Sequence, residues 1–343
     1  MLPRDSVAIE PRSVLFGEEL SLLSLVTLTK EQLLIADRLV ELRVLRANGT
    51  AFQELFVEVM VLRYPDFRPV KPHGNVGDRK NDGYRSSVGV YYQVYAPEKP
   101  GVSITTAVEK LTKDFAGLRD YWQKICPIKG YNFAFNDKFL GAFPEIETAL
   151  LKLRKEHKLA ECRPFLAKDL LHEVSQLSER DLLKITGILP SAEAIEDLDF
   201  GVFSEVLRYV NENSQPVHAD ALLTVPDFTE KIRLNRISAP VAALLTSANL
   251  QSGAVETFFA GHSAFSKTVV RDELARIYEE AKASLSGVNR QSAEGDLIFF
   301  AILDAIVPAP ASKHSQDAAI VLLAYFFESC DIYEDPGDLL LKL

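Results

Sequence analysis

The period of the apolar residues changes twice along the chain, and those changes restrict the fold more than any single motif does. Thr29-x-x-Gln32 reads as a capping box that opens a helix along Leu33, Leu34, Ala36, Leu39, Val40, Leu42, Val44 and Leu45, ended by Asn48-Gly49. A second helix, Ala51 to Leu62, gathers Phe52, Leu55, Phe56, Val59 and Leu62 on one face and stops before Pro65. Then the period shortens. Arg68–Lys71 reads as a short strand, residues 72–81 as a polar, glycine-rich turn, and Asp82-Gly83-Tyr84 as the start of a second strand. After a turn at Ser86–Gly89, Val90–Tyr95 has the aromatic and β-branched content of a central strand, closed by Pro97. A helix (105–125), a strand (132–135), a helix (144–157) and a strand (161–166) follow. Strands separated by helices predict a three-layer α/β domain with a mixed, partly parallel sheet. From about Leu177 every strong segment is helical: 202–212, 239–249, 253–260, 267–285, 294–306 and 315–328. The expected organisation is an α/β domain over 1–175, with a helical leader, and an all-α domain over 176–343.

Length and charge agree with two units. A chain of 343 residues suggests two or three domains of ordinary size. The net charge of −10 is unevenly spread. Residues 63–138 hold 13 basic against 8 acidic side chains, whereas 176–343 hold 13 against 25. The basic middle can meet phosphates locally, and the acidic half suits protein contacts better. The longest apolar run, Ala318–Phe327, is ten residues, which predicts a buried helix and no membrane span. Met1–Ser6 has no basic region leading into an apolar one, so no secretory signal is expected. Cys126, Cys162 and Cys330 are too few and too far apart for a disulfide framework or a CxxC zinc site, and fit a cytoplasmic protein.

Common catalytic fingerprints are missing: no GxxxxGK[ST], GxGxxG, HExxH or GxSxG occurs. The run Asp78-x-Lys80-x-Asp82-Gly83 brushes against a calcium loop, but a lysine stands at its third position and Gly89 at its twelfth. One constellation remains. Glu54 sits on a helix, Asp82 at a strand entry, and Gln93 in the middle of the next strand. Such groups can converge on one face, and hard oxygen ligands of this kind hold Mg²⁺ or Mn²⁺. A metal held there generates hydroxide for phosphodiester cleavage. The same residues also read as an ordinary hairpin turn with Asx capping beside the wet face of an amphipathic helix.

The order helix, strand, GD…DGY, strand with QVYAP, helix, strand, helix resembles the PD-(D/E)XK, or restriction-endonuclease-like, superfamily. More closely, Gly77-Asp78-Arg79-Lys80-Asn81-Asp82-Gly83-Tyr84 and Tyr92-Gln93-Val94-Tyr95-Ala96-Pro97-Glu98 resemble proteins of bacterial ABC-three-component systems. The block Leu322–Pro336 is similar to the end of the helical C-terminal domain those proteins share. These are conflict or phage-defence operons that pair an ABC ATPase with effector proteins and a small middle component.

The resemblance implies a metal-dependent nuclease-like effector acting on DNA or RNA. Its metal ligands would be Glu54, Asp82 and Gln93, its cofactor Mg²⁺ or Mn²⁺. Tyr95 stands where the pattern wants a lysine, and Lys80, two residues before Asp82, is the candidate to supply that cation. The alternative is a non-catalytic assembly or sensor subunit with a degenerate nuclease fold. In either case the C-terminal half is expected to bind an ABC ATPase, another operon-encoded protein or a second copy of itself. Asn136-Asp137-Lys138, at the end of an expected strand, reads either as a functional edge or as a turn.

Overall fold

The computed structural model describes residues 27–71, 78–95, 104–214, 228–285, 294–329 and 332–335. The N-terminal leader up to residue 26, the first part of the glycine-rich turn (72–77), residues 96–98 of the second motif block, and 330–331 and 336 of the C-terminal block lie outside them.

Helix α1 (Lys30–Arg46) opens with the expected capping box: Thr29 Oγ1 accepts from the Gln32 N–H, and Gln32 Oε1 accepts from the Thr29 N–H. Helix α2 (Gly49–Arg63) buries Phe52, Leu55, Phe56, Val59 and Met60. Five strands follow in a single sheet: β1 (Phe67–Pro69), β2 (Gly83–Arg85), β3 (Val90–Tyr95), β4 (Gly130–Phe135) and β5 (Glu161–Phe165). Their spatial order is the chain order, with β1, β2 and β3 antiparallel and β3, β4 and β5 parallel. The parallel joints are bridged by α3 (Ile104–Trp122) and α4 (Pro144–Glu156), as parallel strands require.

Alternation along the strands splits the sheet into two apolar faces. Tyr91, Tyr95, Tyr131, Phe133 and Phe135 pack with Leu111, Phe115 and Leu118 of α3 and with α4. Tyr92, Ala134 and Phe165 face the other way, onto Phe56 of α2. Helices therefore cover both sides of a mixed sheet.

The other elements are helices: α5 (Ala167–Ser175), α6 (Glu179–Thr186), α7 (Phe200–Glu212), α8 (Phe228–Leu234), α9 (Ala239–Asn249), α10 (Ser252–Gly261), α11 (Lys267–Ser284), α12 (Glu294–Ile306) and α13 (Lys313–Glu328). Helix α13 is buried from Ala318 to Phe327 and packs against α7, α9, α10 and α12. A helix that is apolar all round belongs at the centre of its assembly. Helix α1 joins the two halves, since it packs on α5 and α6 and also on α9 and α12. Arg38 of α1 lies 3.8 Å from the buried Asp296 of α12, which in turn accepts from the Ser238 N–H before α9.

Asn136-Asp137-Lys138 fastens the sheet to its neighbours. Lys138 Nζ donates to the carbonyls of Val44, Leu45 and Ala47 at the end of α1, and Asn136 Nδ2 donates to Val44 and Ala47. Those are the carbonyls a helix leaves without internal partners. Asp137 accepts from the Ala167 N–H at the start of α5 and from the Gly141 N–H. Among the described residues no helix is long and apolar enough to cross a membrane.

Candidate functional site

Strand β2 is shorter than β3, so the backbone of β3 loses its β2 partner near Val94. Asp82 fills that gap. Its N–H donates to the Tyr92 carbonyl, and its Oδ2 accepts from the Val94 N–H at 2.7 Å, so Asp82 brackets Gln93 on the neighbouring strand. The preceding turn is tight: Asp78 Oδ1 accepts from the Lys80 N–H and Asn81 Oδ1 from the Gly83 N–H, while Arg79 and Lys80 take φ of 55° and 65°. Left-handed backbone at two successive non-glycine residues is costly and needs outside support. Helix α3 supplies it. Lys80 Nζ sits 3.0 Å from Asp114 Oδ1, its stem runs against Gly117, and the Arg79 guanidinium lies over the Tyr121 ring.

Asp114 is the centre of this arrangement. It is 2% exposed and also binds Lys110 Nζ at 2.6 Å. Its hydrogen bond is the main reason that the Lys80 ammonium is held above the ordinary lysine range, against the effect of burial. Burial pushes the Asp82 carboxyl up to about 6, opposed by the Val94 N–H; Asp78 and Asp114 raise it further and Lys110 draws it down. Three buried polar atoms nearby have no hydrogen-bond partner among the described residues: Asn81 Nδ2, Gln93 Oε1 and Tyr131 Oη. Burial, with Asp114 and Asp82 adding, raises the Tyr131 phenol well above its ordinary value. Native structures seldom leave such atoms unpaired, and ordered water or another group is their usual partner.

The four residues singled out from the sequence are only partly brought together. Asp82 and Gln93 are neighbours through the backbone of the two strands, and both are buried. Lys80 is close enough for Asp82 to favour its charge, but its ammonium is bound by Asp114. Glu54 is exposed and faces elsewhere: it borders a cavity of roughly 390 Å³ with Arg43 and Arg46 of α1, Ile185 of α6 and Asp304 of α12. Its neighbour Gln53 takes the place expected of it, donating through Nε2 to Asp82 Oδ1 at 2.5 Å. Tyr95 shares the face of Gln93 but stacks on Phe133 and Phe135 in the core.

A divalent metal does not fit the side chains as they stand. Both oxygens of Asp82 accept from N–H donors, the second buried carboxylate is neutralised by two lysines, and Glu54 points to another cavity. Among the described residues no group of three or more His, Cys, Asp or Glu side chains is placed to hold a metal ion.

Gln53, Lys110 and Asp114 are not among the residues read from the sequence. Asp114 had a signal: it falls on the stripe Ala107, Leu111, Phe115, Leu118 that buries α3, where a carboxylate is out of place. Gln53 had none.

No curated protein and no solved structure matches this chain. Residues 203–334, from α7 to the residues that follow α13, match the family model of C-terminal domain 10 of the ABC-three component systems.

Proposed function

We propose that the chain is a component of an ABC-three component defence system, with a nuclease-like site in its α/β half and a partner-docking surface in its helical half. The match over residues 203–334 supports the assignment to such a system. The observation that carries the nuclease-like reading is that the buried carboxylates of Asp82 and Asp114 lie beside the solvent-reaching ammonium groups of Lys80 and Lys110, with Gln93 and other unpartnered buried polar atoms near them. Two ammonium groups held beside two buried carboxylates suit the binding of a phosphodiester and the charge that develops when it is cleaved. DNA or RNA is the substrate class of this reading. An ABC ATPase or another protein of the same operon, or a second copy of the chain, is the partner of the acidic helical half.

A second reading, a non-catalytic assembly or sensor subunit, is favoured by a different observation: both Asp82 oxygens are capped by N–H donors. The two readings separate in one experiment. The full chain is co-expressed with its operon neighbours, purified with whatever it retains, and incubated with plasmid DNA or RNA and Mn²⁺. The nuclease-like reading expects nicking that falls about 10²–10³-fold in Lys80→Ala, the usual effect of removing one group that stabilises developing charge. Retention of a partner with no cleavage of either nucleic acid establishes the second reading.

A further inference from the structure

Helix α3 turns one stripe toward the turn that precedes Asp82. Lys110, Asp114, Gly117 and Tyr121 follow one another at steps of three and four residues, which keeps them on one face of the helix. The turn lies along that stripe. Lys80 Nζ meets Asp114, the Lys80 stem passes 3.2 Å from where a Cβ on Gly117 would stand, and the Arg79 guanidinium carbon lies 5.0 Å from the centre of the Tyr121 ring. The acids of this neighbourhood are turned away from solvent: Asp114 and Asp82 are buried, and Asp78 Oδ1 is taken up by the Lys80 N–H. The cations reach solvent, since the Lys80 and Lys110 side chains are 46% and 38% exposed and Arg79 is exposed. Tyr121 is 44% exposed, and Asp82 follows Arg79 by three residues, so the pair stands beside the candidate site. Among the described residues no carboxylate pairs with Arg79; what it lies on is the Tyr121 ring.

We propose that Arg79 and Tyr121 form a stacking platform for an unpaired base, so that the strand received by the α/β half is single-stranded DNA or RNA, with its phosphates met by Lys80 and Lys110. This rests on the reading of nucleic acid as the substrate class and adds the form that the nucleic acid takes. Aromatic rings and guanidinium planes are the side-chain surfaces on which splayed-out bases stack, and flanking lysines suit the backbone of the same strand. A duplex fits this surface less well: its base faces are covered by neighbouring pairs, and it would offer the platform phosphates alone. Contact with the ring also holds the Arg79 group in place before a base arrives, which lowers the side-chain entropy lost on stacking. The left-handed backbone of Arg79, at φ of 55°, is a cost of the kind that functional sites carry.

The test uses the full chain and reads binding by fluorescence anisotropy in EDTA, so that no strand is cut. The probes are a thymidine oligonucleotide, its uridine counterpart, an abasic strand with the same number of phosphates, and a duplex of the same length. The unmodified protein is expected to bind a base-bearing strand about tenfold or more tighter than the abasic strand, the effect of one stacked base, and tighter than the duplex. Whichever of the thymidine and uridine strands binds tighter identifies DNA or RNA. Arg79→Lys keeps the charge and loses the plane, and Tyr121→Ala removes the ring. Each is expected to bring the base-bearing strand down to the affinity of the abasic one, while Tyr121→Phe keeps the preference. Equal affinity for base-bearing and abasic strands in the unmodified protein overturns the platform. So do tighter binding of the duplex, a failure to bind any probe, and a preference that survives both Arg79→Lys and Tyr121→Ala. Base-dependent binding with no cleavage once Mn²⁺ is supplied leaves the platform standing and removes the nuclease-like reading. Cleavage of the duplex without base-dependent binding does the reverse.

Discussion

Lys80 reaches Asp114, not Asp82: its ammonium lies 3.0 Å from Asp114 Oδ1, and Lys110 approaches the other oxygen of the same carboxylate at 2.6 Å. A turn with two left-handed residues is thereby fixed to helix α3 through one buried acid. Since both lysines keep contact with solvent, loss of Asp114 leaves them hydrated and not stranded. Asp114→Asn should therefore cost about 1–2 kcal/mol in a urea titration, less than the loss from a fully buried pair. Lys80→Ala should cost under about 1 kcal/mol.

The pH dependence of stability should carry the mark of Asp82. Its carboxyl titrates at about 6 in the folded chain because of burial, against an ordinary value of 3.8. Between those values the folded state binds the proton more tightly than the unfolded state does. This group's contribution is therefore favourable at low pH and is lost as pH rises from about 4 to 6, by on the order of 3 kcal/mol. Other carboxylates contribute slopes of the opposite sign, so the comparison is between two proteins. Asp82→Asn should gain stability relative to the unmodified chain between pH 4 and pH 7. A constant difference between the two across that range counts against a buried, proton-binding Asp82.

Lys138 should matter for stability and not for chemistry. Its ammonium closes the carbonyl end of α1, where a cation is favoured by both hydrogen bonding and the helix dipole. Burial works against it and lowers the ammonium to about 8. Lys138→Met removes the donors: the Val44 and Ala47 carbonyls keep the Asn136 amide, and the Leu45 carbonyl loses its side-chain donor. We expect a loss of about 1–3 kcal/mol, with any cleavage activity unchanged once the variant is folded.

Helix α13 should tolerate little. Phe326 is fully buried and packs on Phe259 and Tyr325. Phe326→Ala should cost about 3–5 kcal/mol by leaving a cavity, measured as a shift in the urea midpoint of the full chain. A loss below 1 kcal/mol contradicts its place in the core.

How far the sequence disclosed this molecule depended on the length over which each signal ran. The Thr29–Gln32 box, the stripe of α2, the aromatic strand 90–95 and the apolar run of α13 are each long or locally self-consistent, and the structure has all of them. Helices α5, α6 and α8 have no counterpart in the sequence reading: each is nine residues or shorter, too brief for a period to declare itself. In the candidate site, Asp82 beside Gln93 follows from hairpin pairing and was legible. The Asx turn at Asn81 is present too, so the bland reading of GDRKNDG and the functional one describe the same loop. Glu54 and Gln53 differ by one residue and about 100° around α2, and which of them meets Asp82 depends on how Phe52, Leu55 and Phe56 seat the helix on the sheet. That rotation is a tertiary quantity, and no spacing encodes it.

The nuclease-like site stands or falls on the rate at which the full chain, purified with its operon partners, nicks DNA or RNA in Mn²⁺, compared between the unmodified protein and Asp82→Ala. Cleavage is expected from the former and a loss of about 10²-fold or more in the latter, at unchanged partner retention. Cleavage at the same rate by both proteins would contradict it.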